Sequence, residues 1–331
     1  MEKFKAFRIE EVDKQIRSGF VDMTLDQLDP GEVVVRVAYS DVNYKDALAA
    51  TGAGKILRRP ACVGGIDFSG TVVSSADPAF KAGDQVLATG YDLGVAHHGG
   101  YAEYARVPAA WLVPLPPGLT LFDAMALGTA GFTAALGIVR MEHEGLKPEN
   151  GPVIVTGATG GVGSIAIDVL SRLGYRVVAL TGKESETEYL KGIGAAEVIL
   201  RSSLDLSKIR PLDKATWAGA VDNLGGEVLA WIASTMKIGG TIASIGLALG
   251  SQLNTTVMPF ILRGVSLLGV DSVNCPIEVR RRVWARLGTD MRPAHLNDMV
   301  HMVPFEKLPS VFDDFIQGKA KGRTVVEIAG S

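Results

Sequence analysis

Val153-Ile154-Val155-Thr156-Gly157-Ala158-Thr159-Gly160-Gly161-Val162-Gly163 passes from a short, wholly apolar segment into a glycine-rich turn, and Ser164 to Leu173 then suits a helix. A buried strand, a tight turn and a helix in that order let backbone amides approach a pyrophosphate closely, with the positive end of the helix dipole beneath it. The G-x-G-x-x-G pattern falls on Ala158, Gly160 and Gly163, so alanine stands at its first position. Alone, the pattern also fits a tight connection that binds nothing. Its surroundings favour the nucleotide: Arg176–Leu180, Glu197–Leu200, Gly219–Asp222, Thr241–Ile245 and Ser266–Val270 supply further strands between helical stretches. That alternation is the signature of a parallel sheet wound by crossover helices. The expected class is α/β, with a Rossmann-type doubly wound parallel sheet.

The second strand bears on which nucleotide is bound. An NAD site presents Asp or Glu there, about twenty residues on, to hydrogen-bond the ribose hydroxyls. Counting from Gly163, that place is Lys183 (183 − 163 = 20), inside Thr181-Gly182-Lys183. A hydroxyl, a flexible glycine and an ammonium suit a 2′-phosphate, because the acid that would repel it is absent. NADPH is the expected cofactor. The plainer alternative is that Lys183 begins a solvated loop before Glu184. Arg201, just past the third strand, suits either the adenine face or a place beside Lys183 at the phosphate.

Before Pro114 the grammar differs, with short β-like runs punctuated by Gly and Pro, such as Glu32–Val37 after Asp29-Pro30-Gly31. With 331 residues the chain exceeds what one core usually holds. Two domains are expected: a β domain from 1–122 and 272–331, and a dinucleotide domain from 123–271, opening on a long helix from Phe122 to about Val139. A net charge of −3 disfavours nucleic acid, which demands clustered cations. The two cysteines, Cys62 and Cys275, stand apart, offering neither a disulfide framework nor a structural zinc site. The N-terminus lacks the apolar run of a secretory signal, and no uninterrupted apolar run approaches the ~20 residues of a membrane span. A cytoplasmic protein without membrane contact is expected.

Several segments together resemble a known family. Gly157–Gly163, Asp222-Asn223-Leu224-Gly225-Gly226 and Leu268–Ser272 are similar to the quinone oxidoreductase branch of the medium-chain dehydrogenases. Val42–Asp46, Gly65–Gly70, Gly128–Ala134 and Gly322–Val326 narrow the resemblance to the bacterial acrylyl-CoA reductase subgroup, over nearly the whole chain. The resemblance implies an N-terminal GroES-like β domain, an active site in the cleft beside the nucleotide domain, and a homodimer. Zinc-dependent relatives place Cys at position 43 and His-Glu at 66 and 67, where this chain has Asn43, Ile66 and Asp67. No metal is therefore expected. By resemblance Tyr44 lies at the nicotinamide end and is the preferred catalytic group. Thr159, Gly160, Gly161 and Val162 meet the pyrophosphate, Thr181, Gly182 and Lys183 the 2′-phosphate, and Leu247 and Ser272 the nicotinamide. Related reductases often carry Asn where this chain has Ala320.

Other residues invite blander readings. His97-His98 suits an exposed loop, since adjacent histidines seldom meet one ion. The run Arg280-Arg281-Arg282 could grip a CoA phosphate, though a solvated face over inward Val279, Val283 and Leu287 is preferred. Asp46 and Asp67 suit buried, hydrogen-bonded carboxylates. The expected reaction is NADPH-dependent reduction of acryloyl-CoA to propanoyl-CoA, with a small acyl-CoA thioester as substrate. The alternatives are an NADPH:quinone oxidoreductase, or an NADPH-binding structural or regulatory protein with little turnover.

Overall fold

The structure, a computed structural model, describes Lys3–Ala329. The chain divides into two compact units: Met1–Thr129 with Val273–Gly288 and Leu296–Ser331, and Ala130–Ser272 with Thr289–His295. The first division thus lies further along the chain than residue 122, and 289–295 joins the second unit.

In the first unit, Phe4–Val12 (β1) and Gln15–Met23 (β2) form a hairpin. Its turn, Asp13-Lys14, holds both residues at positive φ, the twist that two-residue hairpins prefer. Val33–Asp41 (β3) alternates, with Val33, Val35 and Val37 fully buried. Tyr44–Thr51 (α1) follows, then Ala61–Val63 (β4), Asp67–Ser75 (β5), Gln85–Thr89 (β6), Tyr104–Val107 (β7) and Val113–Pro114 (β8). Strand β4 extends the hairpin into a three-stranded sheet.

Leu121–His143 (α2) is a long helix broken at Gly128, where φ is 53° and ψ is −156°. A Cβ at Gly128 would lie 1.7 Å from Asp41 Oδ2, so only glycine fits. By length and composition alone α2, which is interrupted by Asp123, Arg140 and Glu142, is apolar enough to cross a membrane. Its most apolar window is 83% buried inside the protein, as a core helix would be.

The second unit continues with Val153–Thr156 (β9), Gly161–Arg172 (α3), Val177–Thr181 (β10), Thr187–Gly192 (α4), Glu197–Leu200 (β11) and Trp217–Asp222 (β12). Gly226–Thr235 (α5), Met236–Ser244 (β13), Met258–Arg263 (α6) and Ser266–Gly269 (β14) complete it. The six strands are parallel, in the order β11-β10-β9-β12-β13-β14. They coincide with the expected strands, and the order reverses between β9 and β12, where open α/β sheets take their ligands.

Ile277–Leu287 (α7), Leu296–Met299 (α8), Val300–Pro304 (β15), Leu308–Ile316 (α9) and Arg323–Glu327 (β16) close the chain. Strand β16 pairs antiparallel with β3, giving a seven-stranded sheet in the order β15-β16-β3-β5-β6-β8 with β7 also on β3. Phe7, Phe68, Tyr101 and Phe312 lie in its core.

Two expectations are corrected in this unit. Arg280 is fully buried rather than solvated: it sits over the Tyr91 ring at 4.5 Å and donates to Thr89 Oγ1 at 2.8 Å. The cause is helical spacing, since 280 shares a face with buried Val283, Trp284 and Leu287. His98 is buried too, because its Nδ1 accepts the Val63 N–H at 2.9 Å.

Candidate functional site

The glycine-rich turn emerges from the carboxyl end of β9 and opens α3, whose N-cap is Gly160. The first turn of a helix has backbone N–H groups without intrahelical acceptors, and here they belong to Gly161, Val162 and Gly163. Gly163 permits the close approach, for a Cβ there would lie 2.4 Å from the Gly157 oxygen. Ala158 is fully buried and tolerated at the first position of the pattern.

The next strand ends on Thr181, whose Oγ1 accepts the Lys183 N–H at 3.0 Å and shapes the turn. Gly182 is exposed, and a Cβ there would lie 3.6 Å from Arg201 Nη2. The Arg201 guanidinium, in the turn after β11, therefore lies against the Thr181–Lys183 backbone. Lys183 follows the end of β10 in the turn against which Arg201 lies, with Glu184 and Glu186 coming next. Leu247 follows β13 and is 67% exposed, and Ser272 follows β14. The structure thus gathers these residues and Thr159–Val162 at the carboxyl ends of one sheet. Tyr44 belongs to the other unit.

Three residues of the second unit, Asp222, Asn223 and Tyr189, acquire roles not read from the sequence. Asp222 accepts from Thr156 Oγ1 at 2.7 Å and from Gly225 N at 2.9 Å, and Asn223 Nδ2 donates to the Thr156 oxygen at 2.7 Å. This ties the end of β12 to the end of β9, immediately before the glycine-rich turn. Burial raises the Asp222 carboxyl above its ordinary value, while these donors oppose the rise. Tyr189 donates to Ser164 Oγ at 3.0 Å, which donates to the Ala158 oxygen at 3.1 Å.

In the first unit, Tyr44 opens α1 and is 57% exposed. Beneath it lies a buried polar network. Asn43 caps the helix, its N–H donating to Asp46 Oδ2 at 2.9 Å, and its Nδ2 donates to Asp41 Oδ1 at 2.7 Å and Asp67 Oδ2 at 3.0 Å. Thr129 donates to Asp67 through N at 2.7 Å and Oγ1 at 2.6 Å. Arg323 donates to Asp41 Oδ2, to Asn43 Oδ1 at 3.2 Å and to the Ala126 oxygen at 3.0 Å. Burial, with Asp67 nearby, raises the Asp41 carboxyl well above its ordinary range, and burial lifts Asp46 to about 7. Asp46 and Asp67 are the buried carboxylates expected. Arg323 was signalled only as part of the Gly322–Val326 segment.

The alcohol dehydrogenase GroES-like domain profile matches residues 29–117, and the zinc-binding dehydrogenase profile matches 161–288. The chain belongs to the medium-chain dehydrogenase/reductase family. Within that family it is 46% identical to the acrylyl-CoA reductase AcuI of Ruegeria pomeroyi, over 96% of this chain and 98% of AcuI. It is 47% identical to YhfP of Bacillus subtilis, whose name assigns it provisionally as a quinone oxidoreductase, over 98% and 99% of the two chains. The crystal structure of YhfP with NAD bound superposes with a TM-score of 0.97, covering 99% of this chain and 100% of YhfP. That of the YhdH oxidoreductase from Salmonella enterica in complex with NADP gives 0.95 at 46% identity, covering 98% and 100%.

Zinc, a cofactor of many medium-chain dehydrogenases, does not fit this chain. Asn43 has its side-chain amide engaged by Asp41, Asp67 and Arg323, and Ile66 offers no donor atom. Among the described residues no three His, Cys, Asp or Glu are grouped to hold a metal ion. A dinucleotide does fit the second unit, because the first turn of α3 presents backbone donors at the place where such sheets bind phosphate.

Proposed function

We propose that this chain reduces the carbon-carbon double bond of acryloyl-CoA to give propanoyl-CoA, with NADPH as reductant. The observation that carries the reading is that Arg201 lies against the Thr181–Lys183 turn at the ends of β10 and β11, in a chain similar along its length to AcuI. In the balanced reaction NADPH supplies a hydride to the β-carbon, a proton reaches the α-carbon, and NADP⁺ leaves.

The chain's own residues have separate tasks in this reading. Backbone donors from Thr159 to Val162 hold the pyrophosphate, and Thr181, Gly182, Lys183 and Arg201 hold the 2′-phosphate. Leu247 and Ser272 line the nicotinamide, excluding water from it. Tyr44 supplies a phenol hydroxyl that donates the α-proton or hydrogen-bonds the thioester oxygen as charge develops there. The first of these tasks would serve NAD equally, and YhfP was crystallised with NAD, so the 2′-phosphate contacts decide the cofactor.

Acryloyl-CoA, crotonyl-CoA and several quinones, offered to the purified protein with NADPH, test the proposal. Propanoyl-CoA formed stoichiometrically with NADPH loss supports it. Faster turnover of a quinone favours the second reading, which the name of YhfP suggests. NADPH binding without consumption by any acceptor points to a regulatory protein.

The assembly is proposed to be a homodimer. Among the described residues strand β14 ends its sheet with one edge unpaired, and nearby Val257, Ile261 and Leu262 are 65%, 72% and 60% exposed. An apolar patch beside a free edge invites a second copy. Sedimentation should give twice the chain mass, and Ile261→Asp should yield monomer. Residence in the cytoplasm, away from membrane and nucleic acid, accords with two buried cysteines, Cys62 and Cys275, that are not joined in a disulfide.

A further inference from the structure

We propose that Arg323 is a positioning residue for Tyr44, acting through Asn43; this rests on the reading of Tyr44 as the group that serves the reacting thioester. Among the described residues the Tyr44 hydroxyl makes no hydrogen bond, and its side chain is more than half exposed. Its direction is therefore set by the backbone at the start of α1. That backbone is fixed by Asn43, which is held at four points: its N–H by Asp46, its Nδ2 by Asp41 and Asp67, and its Oδ1 by Arg323.

Arg323 orients this arrangement. Asn43 Oδ1 accepts from Arg323 Nη1, so the guanidinium decides which end of the amide faces the two carboxylates. Its Nη2 holds Asp41, and its Nε holds the Ala126 oxygen beside the break in α2. Of the three buried carboxylates in the network, Asp41 is held by Arg323 directly, and Asp46 and Asp67 are joined to it through Asn43. A lysine carries the charge on a single atom and cannot reach all three acceptors in one plane. The geometry makes Arg323 the part that keeps Asn43, and hence the first turn of α1, in a single arrangement.

Arg323→Lys should lower kcat for acryloyl-CoA about tenfold or more, as a small misplacement of a reacting group does, and leave the KM for NADPH within about twofold. Removing a buried partner can also unfold a protein, so Asp41→Asn/Arg323→Met, which deletes both charges, is made beside it. Its melting temperature should recover toward wild type while kcat stays low. In a Tyr44→Phe background Arg323→Lys should cause little further loss, because both changes act on the same hydroxyl. The resonance of 3-fluorotyrosine at position 44, assigned by its loss in Tyr44→Phe, should be one sharp line in the wild type and broadened or split in Arg323→Lys. A wild-type protein inactive on acryloyl-CoA would refute the proposed reaction, and the fluorine spectrum would still judge the positioning role. Losses that multiply in the double variant, full activity in the charge-deleted protein, or an unchanged fluorine line would each overturn it.

Discussion

At the scale of single residues, the question is which atoms distinguish the cofactor and the reaction. Lys183 stands where an acid would select NAD, and Arg201 lies against the same turn. Lys183→Ala should weaken NADPH by about 1.5 to 3 kcal/mol, the range of one charge-assisted phosphate contact, and leave NADH nearly unchanged. Fluorescence titration with both nucleotides checks this; equal losses would remove Lys183 from the 2′-phosphate site. Tyr44 separates chemistry from binding in the same way. In the proposed reaction the hydroxyl is the part that serves the transition state, whereas the ring alone would serve binding. Tyr44→Phe is expected to reduce kcat on acryloyl-CoA by about 10²-fold, within the range of a general acid, and to spare NADPH affinity. Wild-type turnover in that variant would pass the proton to water or a ribose hydroxyl.

At the scale of elements, legibility followed distance along the chain. The six strands of the second unit could be read because each is a short apolar run between turn residues. The place of Thr181–Lys183 at the end of β10 was equally readable, being at a fixed offset from the glycine-rich turn. Arg323 and Asp41 were not, because they meet across 282 positions and no local pattern joins them. The break in α2 was hidden for the same reason: Gly128 sits in a run that reads as continuous helix, and the need for glycine comes from Asp41. His98 does lie in a loop, but it looked exposed because nothing nearby in sequence announces the Val63 N–H that it accepts. A substitution tests the account of α2. Gly128→Ala combines a left-handed φ with overlap against Asp41 and should destabilise by about 3 kcal/mol or more. Thermal unfolding measures this, and a change under about 1 kcal/mol, typical of a tolerated surface site, would show that the break is not locked by Asp41.

At the scale of the whole molecule, the first unit buries two titrating groups whose effects on stability have opposite sign. Burial depresses His98 to about 4 from 6.5, with Asp29 opposing, so between those values the unfolded chain binds a proton that the folded chain refuses. Its stabilising contribution is therefore complete above about pH 6.5 and is lost as pH falls through about 4. Burial raises Asp46 to about 7 from 3.8, so there the folded chain holds the extra proton. That contribution is complete below about pH 3.8 and is lost as pH rises through 7. The two offset each other across the acid range. His98→Asn keeps an acceptor for the Val63 N–H and cannot be protonated, so it should expose the Asp46 trend. The melting temperature of the variant should then improve relative to wild type as pH is lowered from 6.5 toward 4. Denaturation at stepped pH, with His98 followed by NMR, checks both the trend and its cause. Parallel melting curves, or a His98 midpoint near 6.5, would mean that burial does not hold this imidazole neutral.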